Sequence, residues 1–221
     1  MYAIFQGVDP ATVASSNTSH ESAGFGTGQV GQSFVYLSRS LNNGRTWSAA
    51  YKVDDAATGH RFFPDADAVA GRLAVVWQDS REDNCYSVQR PISNNANAKM
   101  CDAHGLNSYV AVSTDGVHFG SALTASTVGQ MPQYEMFDAA DVPFLGDYNW
   151  IDLVRRTDGS LFGYAAWTDN RDVVPGDDPR EEVQDGFDVA GWYTDLAGTL
   201  QRHFNAGGYD QNIYGNSFVI P

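Results

Sequence analysis

The stretch AVVWQDSR (residues 74–81) is nearly repeated later in the chain as YAAWTDNR (residues 164–171). Each copy is an apolar run that ends in Trp, and Asp and Arg then follow at alternate positions. A catalytic group is needed once, whereas a structural unit can recur many times, so the duplication indicates repeated structure. We therefore interpret each copy as one buried strand of a repeating unit.

Strand signals extend from these two stretches along the rest of the chain. The sequence contains 22 Gly, 13% aromatic residues and only 18% charged residues, which is typical of twisted antiparallel sheet joined by tight turns. No segment has an apolar period of 3.6 residues over several turns, so the predicted fold class is all-β. The predicted strands are residues 2–5, 34–37, 73–77, 109–112, 150–154, 161–167 and 187–193.

Two of these strands are followed by turns of similar composition, SRSLNNGRTW (residues 38–47) and STDGVHF (residues 113–119). In each turn an Asn or Asp side chain can bond its own backbone amides, a Gly can take positive φ, and an aromatic side chain can tuck between sheets. The residues concerned are Ser40, Asn42, Gly44 and Trp47 in the first turn, and Ser113, Asp115, Gly116 and Phe119 in the second.

These turns and the two Trp-x-Asp-x-Arg strands resemble the Asp-boxes and blades of BNR-repeat, sialidase-like β-propellers of the secreted bacterial type. The resemblance covers residues 2–193 and implies one propeller region, 1–221, built from four-stranded antiparallel blades. About three blades are expected, near residues 1–53, 54–128 and 129–200, with a C-terminal strand in 201–221. Within this scheme, residues 187–193 form the third strand of the third blade.

Three blades are too few for a closed ring, because propellers have about four to eight. The missing blades are expected from a longer chain or from other copies of this one. Alternatively, the last stretch, FNAGGYDQNIYGNSF (residues 204–218), supplies a strand that closes a smaller structure. We favour the longer chain.

Antiparallel alternation places the two turns at one end of the strands, the back, and the loops after each Trp-x-Asp-x-Arg at the other end, the front. The first front loop carries Cys85 and Cys101, for which a disulfide is favoured over two free thiols. The disulfide and the family resemblance predict an extracellular, secreted protein. Long loops on one end of a rigid scaffold are where ligands usually bind.

Candidate functional residues lie at the front. Asp147 and Tyr148 precede a strand, and the resemblance implies a Tyr nucleophile, an Asp acid/base and arginines that hold a substrate carboxylate. Asp147 and Tyr148 are therefore candidate catalytic or ligand-binding residues, and Arg81 and Arg171 are candidate ligand-binding residues. The family's Phe-Arg-Ile-Pro motif is absent, since residues 61–64 read RFFP.

A structural interpretation of the same residues is favoured. It packs the two Trp side chains between blades, and Asp79 and Asp169 pair with the arginines or cap the loops. For Asp147 and Tyr148 it predicts only a turn whose Tyr packs against the blade.

The acidic loop DNRDVVPGDDPREEVQDGF (residues 169–187) offers Asp177, Asp178 and Asp185 as possible Ca²⁺ ligands, although it lacks the spacing of a dedicated calcium loop. We expect no other cofactor. A net charge of −14 disfavours nucleic acid and anionic membranes as partners, and no apolar run is long enough to insert into a membrane.

Two functions fit this sequence. The favoured one is a secreted propeller module that binds a glycan or protein ligand at the face opposite the turns. The alternative is a sialidase-like glycoside hydrolase whose remaining catalytic residues lie outside this chain.

Overall fold

The computed structural model confirms the all-β prediction. Its sheets are antiparallel, and in the described part of the chain the one helical segment is a short 3-10 turn, Pro10–Thr12. Residues 133–137, 142–144, 190–194 and 200–204 are described by their backbone alone. The structure describes residues 1–15, 28–83, 86, 88, 105–130, 133–137, 142–144, 148–169, 171, 190–194, 200–204 and 212–221.

In the described residues, eleven strands are five to nine residues long, one has three residues and four have two. In chain order they are β1 (Tyr2–Val8), β2 (Ala14–Ser15), β3 (Gln29–Val30), β4 (Ser33–Arg39), β5 (Tyr51–Lys52), β6 (Arg61–Val69), β7 (Arg72–Asp79), β8 (Asn107–Ser113), β9 (Leu123–Thr124), β10 (Gln133–Phe137), β11 (Val142–Phe144), β12 (Asn149–Arg155), β13 (Leu161–Asp169), β14 (Ala190–Thr194), β15 (Leu200–Phe204) and β16 (Asn212–Ile220).

Three larger sheets follow one another along the chain. The first has the order β1-β4-β5, the second β6-β7-β8-β9 and the third β12-β13-β16. The second sheet has the four strands predicted for each unit. Four strands per unit is not confirmed in general, because the first and third sheets have three strands each in the described residues.

Strand β7 contributes to two hydrophobic cores that the described residues form. Its alternate residues Leu73, Val75 and Trp77 pack against the first sheet, with Val35 and Leu37. The intervening Ala74 and Val76 pack against the third sheet, with Ile151, Leu153 and Trp167. A strand covered on both faces reads as a continuous apolar run, which explains why AVVW lacks polar alternation.

The predicted partner of β13 is wrong. Residues 187–193 were expected to lie beside residues 161–167, but β16 pairs with β13 along its whole length, from Leu161↔Ile220 to Asp169↔Asn212. Strand β14 pairs with β15 instead, in a separate two-stranded ribbon. Sequence proximity therefore misassigned the third strand, because a strand from the last stretch of the chain takes that edge.

The strand registers define the two ends of the sheets. The front carries Arg61 opposite Asp79 in the second sheet and Asn149 opposite Trp167 in the third. The back carries the turn at Ala70, the turn between β12 and β13, and both Asn/Asp turns. The turns of residues 38–47 and 113–119 thus lie at the end of the sheets opposite the Trp-x-Asp-x-Arg segments.

The inner strands β6 and β12 lie side by side without a backbone ladder between them. Two carboxylates of β6 bridge them: Asp65 accepts from the Ile151 amide at 2.9 Å and Asp67 from the Leu153 amide at 2.7 Å. A sheet edge next to another element must satisfy its backbone donors, and here side chains do so.

Both back turns have the predicted internal hydrogen bonds. Asn42 Oδ1 accepts from the Thr46 amide at 2.8 Å, and Asp115 Oδ1 accepts from the His118 amide at 2.8 Å. Gly44 and Gly116 have φ of 82° and 72°, as a turn that needs left-handed backbone requires.

The aromatic residues of the two turns differ. Phe119 packs against the core between the first and second sheets. Trp47 does not tuck between sheets, because its side chain stays 43% exposed while its indole N–H donates to the Gly44 carbonyl.

We predict that Asp115 makes the second turn sensitive to acid. Hydrogen bonds from the His118 ring and from the His118 and Val117 amides hold the pKa of Asp115 well below its usual value. A carboxylate with a lowered folded-state pKa contributes stability above about pH 4, and that contribution is lost as the pH falls. Asp115→Asn should therefore lose less stability than the wild type between about pH 5 and pH 2, measured by urea unfolding.

The first turn supplies the converse variant, because it carries Asn42 at the equivalent position. Asn42→Asp should add acid sensitivity to that turn. Identical pH profiles for the wild type and both variants would contradict the assignment.

Candidate functional site

At the front end, the two Trp-x-Asp-x-Arg segments form the same closed set of hydrogen bonds. Trp77 Nε1 donates to Asp79 Oδ2 at 2.9 Å, and Asp79 Oδ1 accepts from the backbone amide of Arg81 at 2.8 Å. The Arg81 guanidinium binds the same carboxylate, with Nε at 3.0 Å from Oδ2. One buried acid therefore fixes the indole, caps the loop's first turn and pairs with the arginine.

The second copy repeats these contacts. Trp167 Nε1 donates to Asp169 Oδ2 at 2.9 Å, and Asp169 Oδ1 accepts from the Arg171 amide at 2.9 Å. Both Trp side chains are buried, Trp77 fully, and both Asp side chains are fully buried. The structural roles predicted for Trp and Asp are therefore present in both copies.

The repeat extends to a tyrosine on the third strand of each sheet. Tyr109 lies opposite Trp77 in β8 and Tyr214 lies opposite Trp167 in β16. The Arg81 guanidinium stacks over the Tyr109 ring at 4.1 Å and the Arg171 guanidinium over the Tyr214 ring at 4.3 Å. This shared tyrosine identifies β16 as the counterpart of β8.

The second sheet adds one arginine that the third lacks. Arg61, the first residue of the RFFP stretch, has no exposed side-chain surface, and its guanidinium lies 3.0 Å from Asp54 Oδ1 and 3.3 Å from Asp79 Oδ2. It also donates to the carbonyls of Gly59 and Ala56 at 2.8 Å each. Groups within the protein therefore compensate the positive charge of Arg61.

Asp54 is held between two guanidinium groups. Burial would by itself raise the pKa of Asp54, but Arg81, the Ala56 amide and Arg61 outweigh it and lower that pKa. For Arg81, burial alone would lower the pKa, but Asp79 and Asp54 raise it. The acids and arginines at this end are thus mutually neutralised.

A Tyr/Glu pair that the sequence did not indicate lies in the same cluster. Tyr109 Oη donates to Glu82 Oε1 at 2.5 Å, and Glu82 also accepts from Asn107 Nδ2 at 3.0 Å. Tyr109 is only 4% exposed, and burial, together with the hydrogen bond to Glu82, raises its pKa. This phenol keeps its proton and is closed to solvent, so it positions the loop rather than attacks a substrate. The sequence signal for the Tyr109–Glu82 pair was the position of Glu82 directly after Arg81.

An open cleft of about 240 Å³ lies beside this neutralised cluster, where the inner strands β6 and β12 begin. Tyr148 and Trp150 are two residues apart and strongly exposed, at 77% and 68%. Two large aromatic side chains open to solvent at one cleft indicate a binding surface. The lining residues are Phe63, Pro64, Asp65, Tyr148, Asn149 and Trp150.

The wall of the cleft contains a strained bulge in β6. The pairing between β6 and β7 shifts register between Phe62 and Asp65, and Phe63 has φ of 53° although it precedes Pro64. A bulky residue in this region costs about 1–3 kcal/mol, and such strain concentrates at functional sites. Asn149 Nδ2 donates to the Phe63 carbonyl at 2.7 Å and holds the bulge against β12.

Of the residues predicted for the site, the structure describes Arg81, Arg171 and Tyr148. The two arginines bind their own Asp partners, and Tyr148 lines the cleft rather than packing against the sheet. The remaining predicted residues lie outside the described part of the chain: Asp147, Cys85, Cys101, Asp177, Asp178 and Asp185.

Two kinds of feature are absent from the described residues. No three His, Cys, Asp or Glu side chains converge there as a metal site would require. No helix in that part of the chain has the length and apolar character needed to cross a membrane.

Comparison with known proteins gives little. No protein-family model and no curated protein matches the chain. One solved structure that matches is the α-L-arabinanase of Penicillium chrysogenum in complex with arabinobiose, at 14% sequence identity and a TM-score of 0.27. The match covers 71% of this chain and 40% of the arabinanase, so the chain spans less than half of that enzyme. A likeness this weak carries no weight for the function.

We predict that Asp79 matters more for stability than Asp169. Asp79 faces both Arg61 and Arg81, whereas Asp169 faces Arg171, which also donates to the Thr127 hydroxyl and the Val128 carbonyl. Asp79→Asn leaves a buried guanidinium short of a partner and should cost about 3–5 kcal/mol of unfolding free energy. Asp169→Asn should cost about 1–3 kcal/mol, both measured by urea unfolding.

Asp158→Asn in the exposed turn between β12 and β13 is the matched control and should leave the free energy of unfolding nearly unchanged. Equal losses for Asp79→Asn and Asp169→Asn would show that Arg61 does not depend on Asp79.

Proposed function

We propose that this chain is part of a sialidase-like β-propeller of the BNR/Asp-box type. The support is the shared geometry of the two back turns, in which a Ser hydroxyl accepts from a Gly amide at 2.8 Å in each case. Three sheets that pack in chain order, two of them ending in the same Trp-Asp-Arg set, also fit successive blades. The turns would mark the back of the ring.

We propose that the module binds its ligand at the front, and that the ligand is a glycan rather than a protein. The observation that carries this is the pair Tyr148 and Trp150, both open to solvent at a concave cleft next to Asp65. A sugar offers apolar ring faces that stack on aromatic side chains and hydroxyls that bond to an acid. A cleft of about 240 Å³ is smaller than the usual pocket for drug-sized molecules and fits a short segment of a chain.

The alternative, a sialidase-like hydrolase, gains little from the described residues. A sialoside carboxylate needs free guanidinium groups, but Arg61, Arg81 and Arg171 each bind a carboxylate of the protein. A Tyr nucleophile must lose its proton, but the Tyr109 phenol is buried with a raised pKa. The hydrolase therefore rests on Asp147, Tyr148 and residues beyond this chain.

The cleft is tested on a printed array of immobilised neutral and sialylated oligosaccharides. We expect Tyr148→Ala and Trp150→Ala each to weaken the best binding by about tenfold, or roughly 1.4 kcal/mol, because each removes a stacking surface. Trp47→Ala is the matched control, since Trp47 is an exposed Trp at the back end. The proposal of a glycan-binding cleft would be contradicted by an array without binding. Unchanged binding by both cleft variants would contradict it as well.

The same samples are assayed with a fluorogenic sialoside. We expect no turnover by the wild type or by Asp147→Asn. Turnover that disappears in Asp147→Asn would instead establish the hydrolase.

We further propose that another sheet covers the outer face of the third sheet, preferably from a longer chain and otherwise from another copy. Outside the cleft, the side chains on this face alternate with the buried ones and include four large exposed hydrophobic residues. Such an apolar patch marks an interaction surface. The four are Val154, Tyr164, Ile213 and Val219.

This outer face should make the 221-residue chain bind a hydrophobic dye and self-associate, measured by dye fluorescence and light scattering. The double variant Ile213→Lys and Val219→Lys should reduce both signals, because it places two charges on the face. Leu41→Lys, at an exposed position in the first back turn, is the control. Signals unchanged in the double variant would show that this face is not the interaction surface.

The remaining expectations complete the proposal. We propose an extracellular protein with a Cys85–Cys101 disulfide, with Ca²⁺ at Asp177, Asp178 and Asp185 as the one candidate metal site. The net charge of −14 supports partners other than nucleic acid or anionic membrane.

A further inference from the structure

We propose that the glycan bound at the Tyr148–Trp150 cleft is uncharged, with neither a sialic acid nor a uronic acid at the bound position. This inference rests on the proposed glycan-binding function and names the ligand class of that site. It depends on the charges around the cleft rather than on the aromatic residues.

The described residues include three arginines at the front end. The guanidinium group of each one is already bound to groups of the protein. Arg61 is fully buried between Asp54 and Asp79, and Arg81 binds the same two acids. Arg171 binds Asp169 and donates two further hydrogen bonds, to the Thr127 hydroxyl and the Val128 carbonyl. Bidentate recognition of a carboxylate needs such a group free, so an acidic sugar would find no free guanidinium among the described residues of the front end.

The surface around the cleft is acidic instead. Between residues 62–69 of β6 and 149–154 of β12 there are three Asp and no Lys or Arg. Asp65 lines the cleft, Asp67 lies two residues further along β6, and Asp152 lies two residues beyond Trp150. Even in water, a ligand carboxylate within about 4 Å of one such charge is repelled. This repulsion weakens binding about fivefold.

Asp65 also determines which hydrogen-bonding groups suit the cleft. Its Oδ2 accepts from the Ile151 amide at 2.9 Å, so the carboxylate is held in place with its other oxygen as an acceptor. An ionised carboxylate accepts only, and a sugar hydroxyl can donate to it whereas a sugar carboxylate cannot. Ring stacking on Tyr148 and Trp150, joined to an acceptor at Asp65, selects a hydroxyl-bearing neutral ring.

The test uses matched pairs of soluble oligosaccharides, with binding followed by calorimetry and Trp fluorescence. One pair is N-acetyllactosamine with and without a terminal sialic acid, and another is a xylo-oligosaccharide with and without a glucuronic acid branch. In each pair that binds, we expect the neutral member to bind at least about fivefold more tightly than the acidic member. The preference should shrink as salt is raised, because the charges around an open cleft are screened.

Asp65→Asn is the decisive variant. Asn keeps an oxygen for the Ile151 amide but removes the charge, so the preference for the neutral member should fall by about fivefold. Asp158→Asn, which removes an equivalent charge from a back turn, should leave the preference unchanged. Urea unfolding of both variants verifies that the sheets are intact.

The outcomes separate the two proposals. Equal or tighter binding of the acidic members, weakened by Tyr148→Ala, would overturn the uncharged-ligand inference and leave the glycan-binding function standing. The same holds for an unchanged preference in a folded Asp65→Asn variant. Failure of every oligosaccharide to bind would overturn the glycan-binding function and the inference with it.

Discussion

The carboxylate of Asp79 is the contact on which the front end of the molecule depends. It is fully buried, and it binds the Trp77 indole, the Arg81 amide and two guanidinium groups. A buried charge is tolerated only when its partners compensate for the lost hydration, and here the partners come from three separate segments. The acid therefore joins the end of β7, the start of β6 and the loop that follows β7.

The same constraint explains why the cleft beside it is open and acidic. Because Arg61 and Arg81 bind acids of the protein, they cannot serve as ligand contacts. The exposed surface of β6 and β12 therefore presents aromatic and acidic side chains. Asp65 and Asp67 have a double role on that surface. Each satisfies a backbone donor of β12 and adds a negative charge where the inner strands meet.

Local chemistry was readable from the sequence. The all-β class, the two turns and the pairing of Asp79 and Asp169 with the arginines all depend on residues within a few positions of one another. The partner of β13 was not readable, because the choice between residues 187–193 and β16 is made by long-range pairing.

The sequence by itself determined what depends on short-range periodicity: strands, turns, and a repeated Trp-Asp-Arg unit whose duplication argued for structure over catalysis. Only the tertiary structure decided which charges remain available. Arg81 looks like a ligand contact in the sequence, but Asp54, which lies next to it only in the fold, joins the neighbouring Asp79 in neutralising it. The favoured sequence interpretation packed Tyr148 against the blade and placed Trp150 in a strand, yet the junction of β6 and β12 leaves both exposed at one cleft. Burial and charge compensation are properties of the packed chain, and no local pattern encodes them.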